Sequence, residues 1–227
     1  MRLLNITLVA AMLIPAYAAE KKQKNADKRL DASTEVVTEI MGTPDKSIPQ
    51  DLLNKSECAI IVPGLKKGGF IIGGEYGRGF ASCRKAGRVG WSAPGAVRLE
   101  GGSFGLQLGG AETDIVMLVM NQDGMKKLLT SKFTLGGDAS AAAGPVGRET
   151  SAQTDALMHA EILTWSRQRG VFAGAVLTGA TLREDTGTNA ELYGQAHKNG
   201  EILAGKVATP PAAKPFIAQL DKYSSRK

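Results

Sequence analysis

Glycine density is the feature that most constrains how this chain can fold. Residues 64–110 contain 15 of the 28 glycines in the 227-residue sequence. Glycine is unfavourable inside helices because it loses more conformational freedom on folding than any other residue. Polar and apolar residues alternate in the same region, as they do from Val97 to Glu100, which is typical of a strand with one buried face. The sequence therefore predicts strands with tight turns and bulges here.

Helical spacing appears on both sides of this region. Apolar or small residues recur every three or four positions over 26–42 and again over 216–223, which predicts two amphipathic helices. Short helices are expected over 47–54, begun by Ser47 and Pro49, and from Asn121 to about residue 131. Apolar runs predict strands over 58–62, closed by Pro63 and Gly64, and over 115–120, 162–165 and 171–182. We predict an α+β fold with a curved, mostly antiparallel sheet, sandwich- or barrel-like, and flanking helices.

The first 18 residues have the composition of an export signal. Arg2 precedes an apolar stretch from Leu3 to Ile14, and Ala16-Tyr17-Ala18 supplies the small residues at a cleavage site. The organisation that we predict is a signal peptide (1–18), a basic flexible segment (19–29), the main domain (30–195) and a proline-containing tail with a terminal helix (196–227). We expect an exported protein in the periplasm or outside the cell, in solution or peripheral to a membrane.

The charge balance indicates the kind of partner. The whole chain has a formal net charge of +6, and removing residues 1–18 takes away one base and no acid, which leaves +5. A modest basic excess is compatible with an anionic lipid surface. Aromatic residues make up only 5% of the chain, too few for the stacking surface that single-stranded nucleic acid needs, so we expect no nucleic-acid partner.

Nine short stretches, taken together and in order, carry a family resemblance. They are AIIVP (59–63), KGGFIIGG (67–74), WSAP (91–94), GGSFGLQ (101–107), TDIV (113–116), GGDAS (136–140), GPVGR (144–148), RGVFAG (169–174) and YG (193–194). In this series the chain resembles the SYLF-domain family over roughly residues 30–195. The resemblance implies a binding protein and not an enzyme, since bacterial members are described as lipid-binding and eukaryotic members as binding phosphoinositides or actin.

One part of the sequence departs from the family pattern. The eukaryotic relatives are thought to meet phosphoinositides through a basic N-terminal helix, whereas the helix expected here has Asp31, Glu35 and Glu39 on its polar face. If the lipid function carries over, anionic phospholipid or a membrane surface is the expected partner. A structural or protein-interaction module that holds another envelope protein is the alternative.

The bases of the first half of the sheet are the candidate lipid contacts. Several lie at expected turns, including the turn predicted over 85–88, where long side chains could converge on a sheet edge and attract phosphate. The competing interpretation is that they only solvate one face. The bases of this region are Lys66, Lys67, Arg78, Arg84, Lys85, Arg88 and Arg98, and all of them except Arg98 are the candidates.

A second candidate is a pair of charges at either end of a small-residue segment. Asp138 and Arg148 could bind a head group, or they could simply organise their own loop.

Catalytic and metal signatures are weak. Ser103 lies in a G-x-S-x-G pattern, but a nucleophile elbow needs a strand before the serine and a helix after it, and the residues that follow alternate as a strand. A serine hydrolase is therefore a distant alternative, with partners drawn from Asp138, Asp155, His159 and His197. Those histidines have no further ligands at zinc spacing. We expect no enzyme activity, no cofactor and no metal.

The two cysteines leave an open choice. Cys58 and Cys83 are the only cysteines, and export would place them where a disulfide can persist. Each lies in an expected strand, so the sequence allows either a bridge between them or two buried thiols.

Overall fold

The computed structural model describes residues 6–42, 47–69, 72–87, 89–104, 107–147, 159–168, 171–175 and 177–224. The helices are α1 (Ile6–Gly42), α2 (Gln50–Lys55), α3 (Gln122–Leu128), α4 (Thr186–Tyr193), α5 (Asn199–Leu203) and α6 (Lys214–Ser224). The strands are β1 (Cys58–Gly69), β2 (Ile72–Cys83), β3 (Gly95–Phe104), β4 (Gln107–Val119), β5 (Lys132–Thr134), β6 (Ala141–Ala143), β7 (Ile162–Gln168), β8 (Val171–Gly174) and β9 (Thr181–Glu184). A 3₁₀ turn, Pro211–Ala213, precedes α6.

All nine of these strands belong to one curled sheet, which forms a half-barrel. Its order is β5-β9-β3-β2-β1-β4-β7-β6, and β8 pairs with the remaining length of β7. Every pairing is antiparallel except the one between β6 and β7. The predicted fold class, α+β with a curved and mostly antiparallel sheet, is confirmed.

The sheet buries both of its faces, and each face has its own core. Residues of α1, α2 and α6 pack on one face against Ile61, Phe80 and Trp165. On the other face Ile60, Leu99 and Met117 pack with residues of α3 and α5 and of the short strands β5 and β9. Alternate residues of β1 therefore enter different cores, because successive side chains of a strand point to opposite faces.

The first strand is longer than the sequence suggested. Pro63 and Gly64 do not end β1; they form an irregularity, and pairing with β2 and β4 resumes beyond it. Gly64 has a positive φ of 59°, and its N–H donates to the Asp114 carboxylate at 2.8 Å. The chain continues because a bulge absorbs a proline that a regular ladder would exclude.

Close approach explains a glycine on the neighbouring strand. A Cβ atom on Gly79 would lie 1.9 Å from the carbonyl oxygen of Ile61 and 2.7 Å from Cα of Val62. Only glycine lets β2 pack this tightly against the bulged part of β1.

Several element boundaries differ from the sequence predictions. Residues 171–182 are not one strand: β8 ends at Gly174, and Thr181–Glu184 forms β9 on the far side of the sheet. Pro49, not Ser47, precedes α2, and no side chain caps that helix. Asn121 does cap α3, accepting a hydrogen bond from Gly124 N–H at 2.9 Å. The turn at Ala86 and Gly87 is present and joins a bridge between Arg84 and Trp91.

Residues on both sides of the predicted domain, 30–195, also pack against the sheet. Residues 19–29, expected to be flexible, continue α1, and Ala26 is fully buried. The predicted tail after residue 195 belongs to the fold, since Ile202, Leu203 and Phe216 are completely buried. Apolar side chains at these positions cover sheet that would otherwise meet water, which extends the folded unit to Ser224. Within the described residues, no helix is both long and apolar enough to cross a membrane.

Candidate anion-binding site

Three of the bases that the sequence singled out each have an acidic partner. Lys66 Nζ lies 3.6 Å from Glu112, Lys67 Nζ lies 3.4 Å from Glu75, and Arg78 Nε lies 3.3 Å from Asp185. All three bases belong to β1 or β2, which are central strands of the sheet. Their charges are compensated one by one.

Arg84 is not a surface base. It is 4% exposed, and its guanidinium donates to the carbonyl oxygens of Leu53, Ser56 and Ser224 and to the Ser224 hydroxyl. A buried guanidinium needs such acceptors, because an unpaired charge in the interior is costly. Arg84 therefore ties α2 and α6 to the end of β2 and cannot contact a membrane. Lys85 is exposed, and Arg88 lies outside the described residues.

The structure instead brings together a row of bases across four adjacent strands. Arg78 pairs in register with Arg98, Arg98 with Arg183, and Arg183 with Lys132. Directly opposed residues point to the same face of a sheet, with Cβ atoms about 4.5–5.5 Å apart. Four positive side chains thus cross β2, β3, β9 and the edge strand β5 in a single line.

At the edge end of this row, the positive charges outnumber the acidic side chains that pair with them. Glu100 is the acid nearest both Arg98 and Arg183: its Oε1 lies 3.2 Å from Arg98 Nε and its Oε2 lies 3.0 Å from Arg183 Nε. Neither Nε–H makes a hydrogen bond, although both atoms are buried. No ion pair within the described residues involves Lys132. We call Arg98, Arg183 and Lys132 the edge cluster; among the described residues, Glu100 is the one acid that forms an ion pair with any of these three bases.

The other end of the row is balanced. Asp185 faces Arg78, and its carboxylate also accepts hydrogen bonds from the N–H and hydroxyl of Thr188 at the start of α4. Arg29 of α1 and Glu191 of α4 lie close to Arg78 as well. Burial lowers the pKa of Arg29, and the positive charge of Arg78 lowers it further. Two acids therefore offset two bases at this end.

The surface beside the edge cluster is polar and open. The next residues along the same four strands are Thr134, Thr181, Glu100 and Tyr76, again opposed in register. Tyr76 is 43% exposed, and the two threonines are half-buried. Guanidinium and ammonium groups next to hydroxyls suit an anion with several oxygen atoms, above all a phosphate group.

Ser103 does not lie at a nucleophile elbow. It belongs to β3 and pairs in register with Gly73, and the chain then enters β4, so no helix follows it. His159 is exposed, whereas His197 is half-buried and lies 3.5 Å from Glu201. Asp155 lies outside the described residues. In the described part of the chain, no group of three or more metal-ligating residues occurs.

The remaining candidate residues either have a structural role or lie outside the described residues. Asp138 is exposed and accepts a hydrogen bond from Thr134 N–H at 2.8 Å, so it organises its own turn. Arg148 lies outside the described residues. Cys58 and Cys83 are opposed residues of β1 and β2 and form a disulfide that is completely buried.

Sequence reasoning missed the edge cluster because its members are far apart in the chain. Alternation in β3 predicts that Arg98 points away from Val97 and Leu99. Nothing local predicts that β3 pairs with β9, or β9 with β5. Lys132 and Arg183 lie in strands of three and four residues, too short for a periodic signal.

The curled sheet, its two helical layers and the charged face define an α+β domain of the SYLF type. A family model described as "Las17-binding protein actin regulator" (Ysc84) matches residues 100–223. The chain belongs to this family, as the nine sequence stretches indicated.

Proteins from yeast and vertebrates share this similarity. LAS seventeen-binding protein 3 of Saccharomyces cerevisiae is 34% identical over 182 residues, 78% of this chain and 39% of that protein. SH3 domain-containing YSC84-like protein 1 is 31% identical over 185 residues in Xenopus laevis, 81% of this chain and 55% of the relative. The Homo sapiens protein is 30% identical over 209 residues, 91% of this chain and 60% of the relative. This chain thus matches between about two fifths and three fifths of each relative.

Proposed function

We propose that this protein is exported and binds anionic phospholipid surfaces through the edge cluster, without catalysis. The observation that carries the proposal is the charge imbalance at this cluster: Glu100 forms ion pairs with Arg98 and Arg183, and Lys132 forms none with any described residue. Lys66 and Arg78, which lie on the same face, each have an acid of their own, and Lys67 on the opposite face pairs with Glu75.

The expected strength of binding follows from the number of bases. Attraction to an anionic leaflet contributes about 1 kcal/mol per base close to the surface. Three bases therefore give weak binding that falls as salt shortens the Debye length, which is about 8 Å at physiological ionic strength. The basic net charge of the chain supports the same partner.

The relatives suggest an alternative partner of a different class. One relative is named LAS seventeen-binding protein 3, and the family model is described as an actin regulator. An acidic protein surface could therefore occupy the same cluster. An outcome in which vesicles do not bind, but the edge cluster captures an acidic protein, would favour this alternative.

Vesicle co-sedimentation tests the lipid proposal. The purified protein should pellet with vesicles rich in phosphatidylglycerol, and much less with phosphatidylcholine vesicles. Replacing Arg98, Arg183 and Lys132 by glutamine should remove most of the difference. The matched control replaces Lys66, Lys67 and Lys85 by glutamine, which removes the same charge elsewhere. If both triple variants lose binding equally, the edge cluster is not the contact site; equal binding to both vesicle types rejects the electrostatic mechanism.

Two further measurements test export and the absence of catalysis. Mass spectrometry should show a protein that begins at Ala19 in the periplasm or medium, whereas a cytoplasmic pool that retains Met1 contradicts export. The wild-type protein should hydrolyse acyl esters no faster than background. Activity that Ser103→Ala abolishes would restore the hydrolase interpretation.

A further inference from the structure

Glu100 holds the position that an incoming anion would need. Its two carboxylate oxygens face two different guanidinium groups, those of Arg98 and Arg183, at 3.2 and 3.0 Å. We infer that Glu100 is a built-in competitor: it neutralises the two arginines in the free protein, and a phosphate group of the ligand displaces it. The inference rests on the proposed function and adds how the site is controlled.

Strand pairing creates the need for this internal anion. Arg98 and Arg183 are directly opposed in the β3–β9 ladder, and like charges in that arrangement destabilise a sheet. Glu100 is two residues along β3 from Arg98, so both side chains point to the same face. It supplies the missing negative charge from within the same strand.

Glu100 neutralises the two arginines but leaves the Nε–H donor of each without a hydrogen bond. The Nε atoms of Arg98 and Arg183 are buried and unbonded, although a carboxylate oxygen lies near each of them. Buried polar atoms normally find a partner, so such donors indicate a site that another group can complete. A phosphate group has more oxygens than a carboxylate and can accept from both guanidinium groups while another oxygen faces Lys132.

Glu100 is also free enough to leave. Its side chain is 34% exposed, and no described residue other than these two arginines forms an ion pair with it. Asp185 provides the contrast at the other end of the row. Its side chain is 6% exposed, and Thr188 holds it with hydrogen bonds at 3.1 and 2.9 Å. Asp185 therefore stays paired with Arg78, whereas the ligand replaces Glu100 beside Arg98 and Arg183.

The ligand must displace the Glu100 carboxylate, and this requirement determines its chemical class. An anion that binds must replace a carboxylate already in place, so a carboxylate-bearing ligand gains little by the exchange. A phosphate group gains additional hydrogen bonds to ionised donors, which are the stronger kind. The site should therefore discriminate phosphate from other anions, which a diffuse positive surface would not do.

A charge-matched pair of variants tests this. Glu100→Gln removes the competitor, whereas Glu112→Gln removes the same charge from an exposed position on β4 beside Lys66. Binding to phosphatidylglycerol vesicles is measured by co-sedimentation, and binding of inorganic phosphate by the rise in melting temperature. We expect Glu100→Gln to tighten vesicle binding about fivefold, and Glu112→Gln to change it less than about twofold. Sodium acetate should raise the melting temperature of neither variant as much as sodium phosphate does.

Loss of Glu100 exposes the repulsion between the two arginines, so the variant could unfold more easily. Glu100→Thr, a residue well suited to strands, serves as the second variant. Both should melt lower than wild type without phosphate and gain more from adding it. Replacing both Arg98 and Arg183 by glutamine should abolish the phosphate-induced rise.

Each result separates the competitor from the proposed function. Equal tightening by Glu100→Gln and Glu112→Gln overturns the competitor role but leaves lipid binding standing. The competitor role is likewise overturned, and lipid binding stands, if the wild-type protein binds vesicles and Glu100→Gln leaves this binding unchanged or weakens it. If phosphate raises the melting temperature but vesicles do not bind, the competitor role of Glu100 stands. The ligand of the site is then a soluble phosphate compound and not a lipid surface. If the wild-type protein and both Glu100 variants respond to neither vesicles nor phosphate, both proposals fail.

Discussion

The guanidinium of Arg84 stacks on the indole ring of Trp91, with its central carbon 3.9 Å from the ring centroid. Both side chains are buried, and the same guanidinium donates to acceptors on α2 and α6. A cation in contact with a ring face is favourable, particularly when the pair is desolvated. One side chain thus joins the end of β2 to two helices that are separated by more than 150 residues of sequence.

Replacing Arg84 should destabilise the whole domain. Arg84→Met leaves several buried carbonyl oxygens without a donor, so we expect the free energy of unfolding to fall by about 3 kcal/mol in urea titrations. Lys85→Met, at the exposed neighbouring position, should stay within about 0.5 kcal/mol of wild type. A loss confined to Lys85→Met, or equal in both variants, would contradict the structural role of Arg84.

The disulfide between Cys58 and Cys83 should contribute strongly to stability. It closes a loop with a sequence separation of 25, which the chain-entropy relation values at about 3.5 kcal/mol. Thiol titration in denaturant without reductant should find no free thiol, and two after reduction. Reductant should lower the melting temperature of the wild-type protein but not of a variant with alanine at both positions. Two titratable thiols before reduction would show that the bridge is absent.

Glu161 should make stability depend on pH. Burial tends to raise the pKa of its carboxyl, but hydrogen bonds from Lys127 Nζ at 2.8 Å and Ser140 N–H at 2.7 Å outweigh burial and lower it. A lowered pKa in the folded state stabilises the fold above the unfolded value, near 4.3, and this stabilisation disappears as pH falls through the folded value.

The corresponding variant is Glu161→Gln. It should be less stable than wild type by about 1–2 kcal/mol at pH 7, and the difference should shrink between about pH 5 and pH 3. Urea unfolding across this range measures it. Glu112→Gln, an exposed acid, should follow the wild-type curve. A constant difference between Glu161→Gln and wild type at all pH values would assign the effect to packing instead.

The close approach at Gly79 provides a test of the sheet geometry. Gly79→Ala places a methyl group against the backbone of Ile61 and Val62, which cannot move aside independently. We expect a loss of about 3 kcal/mol. Gly74→Ala is the control on the same strand, because its methyl group would meet only the Gly101 oxygen at 3.8 Å. Similar urea midpoints for the two variants would show that β1 and β2 lie further apart.

Local patterns predicted the elements better than their arrangement. The helical spacing placed six residues on one face of the first helix, and all except the half-buried Met41 are buried in α1: Ala26, Leu30, Ser33, Val37 and Ile40. The cap at Asn121 also follows from one side chain and its near neighbours.

The position of Arg84 could not be read in the same way. Its acceptors include Ser224, which lies 140 residues away, and an arginine next to a turn is ordinarily a surface residue. The edge cluster could not be predicted for the same reason, because strands β3, β9 and β5 are distant in sequence and become neighbours only in the completed sheet.

The position of α6 has a consequence for biosynthesis. Its residues Ser224, Gln219 and Tyr223 contact Arg84, which directly follows β2, Thr38 of α1 and Gln50 of α2, respectively. A ribosome makes every strand before it makes Lys214–Ser224, so the sheet face that α6 covers has no lid while the chain grows. Stable folding of the sheet and its helices must then wait until this segment has been made.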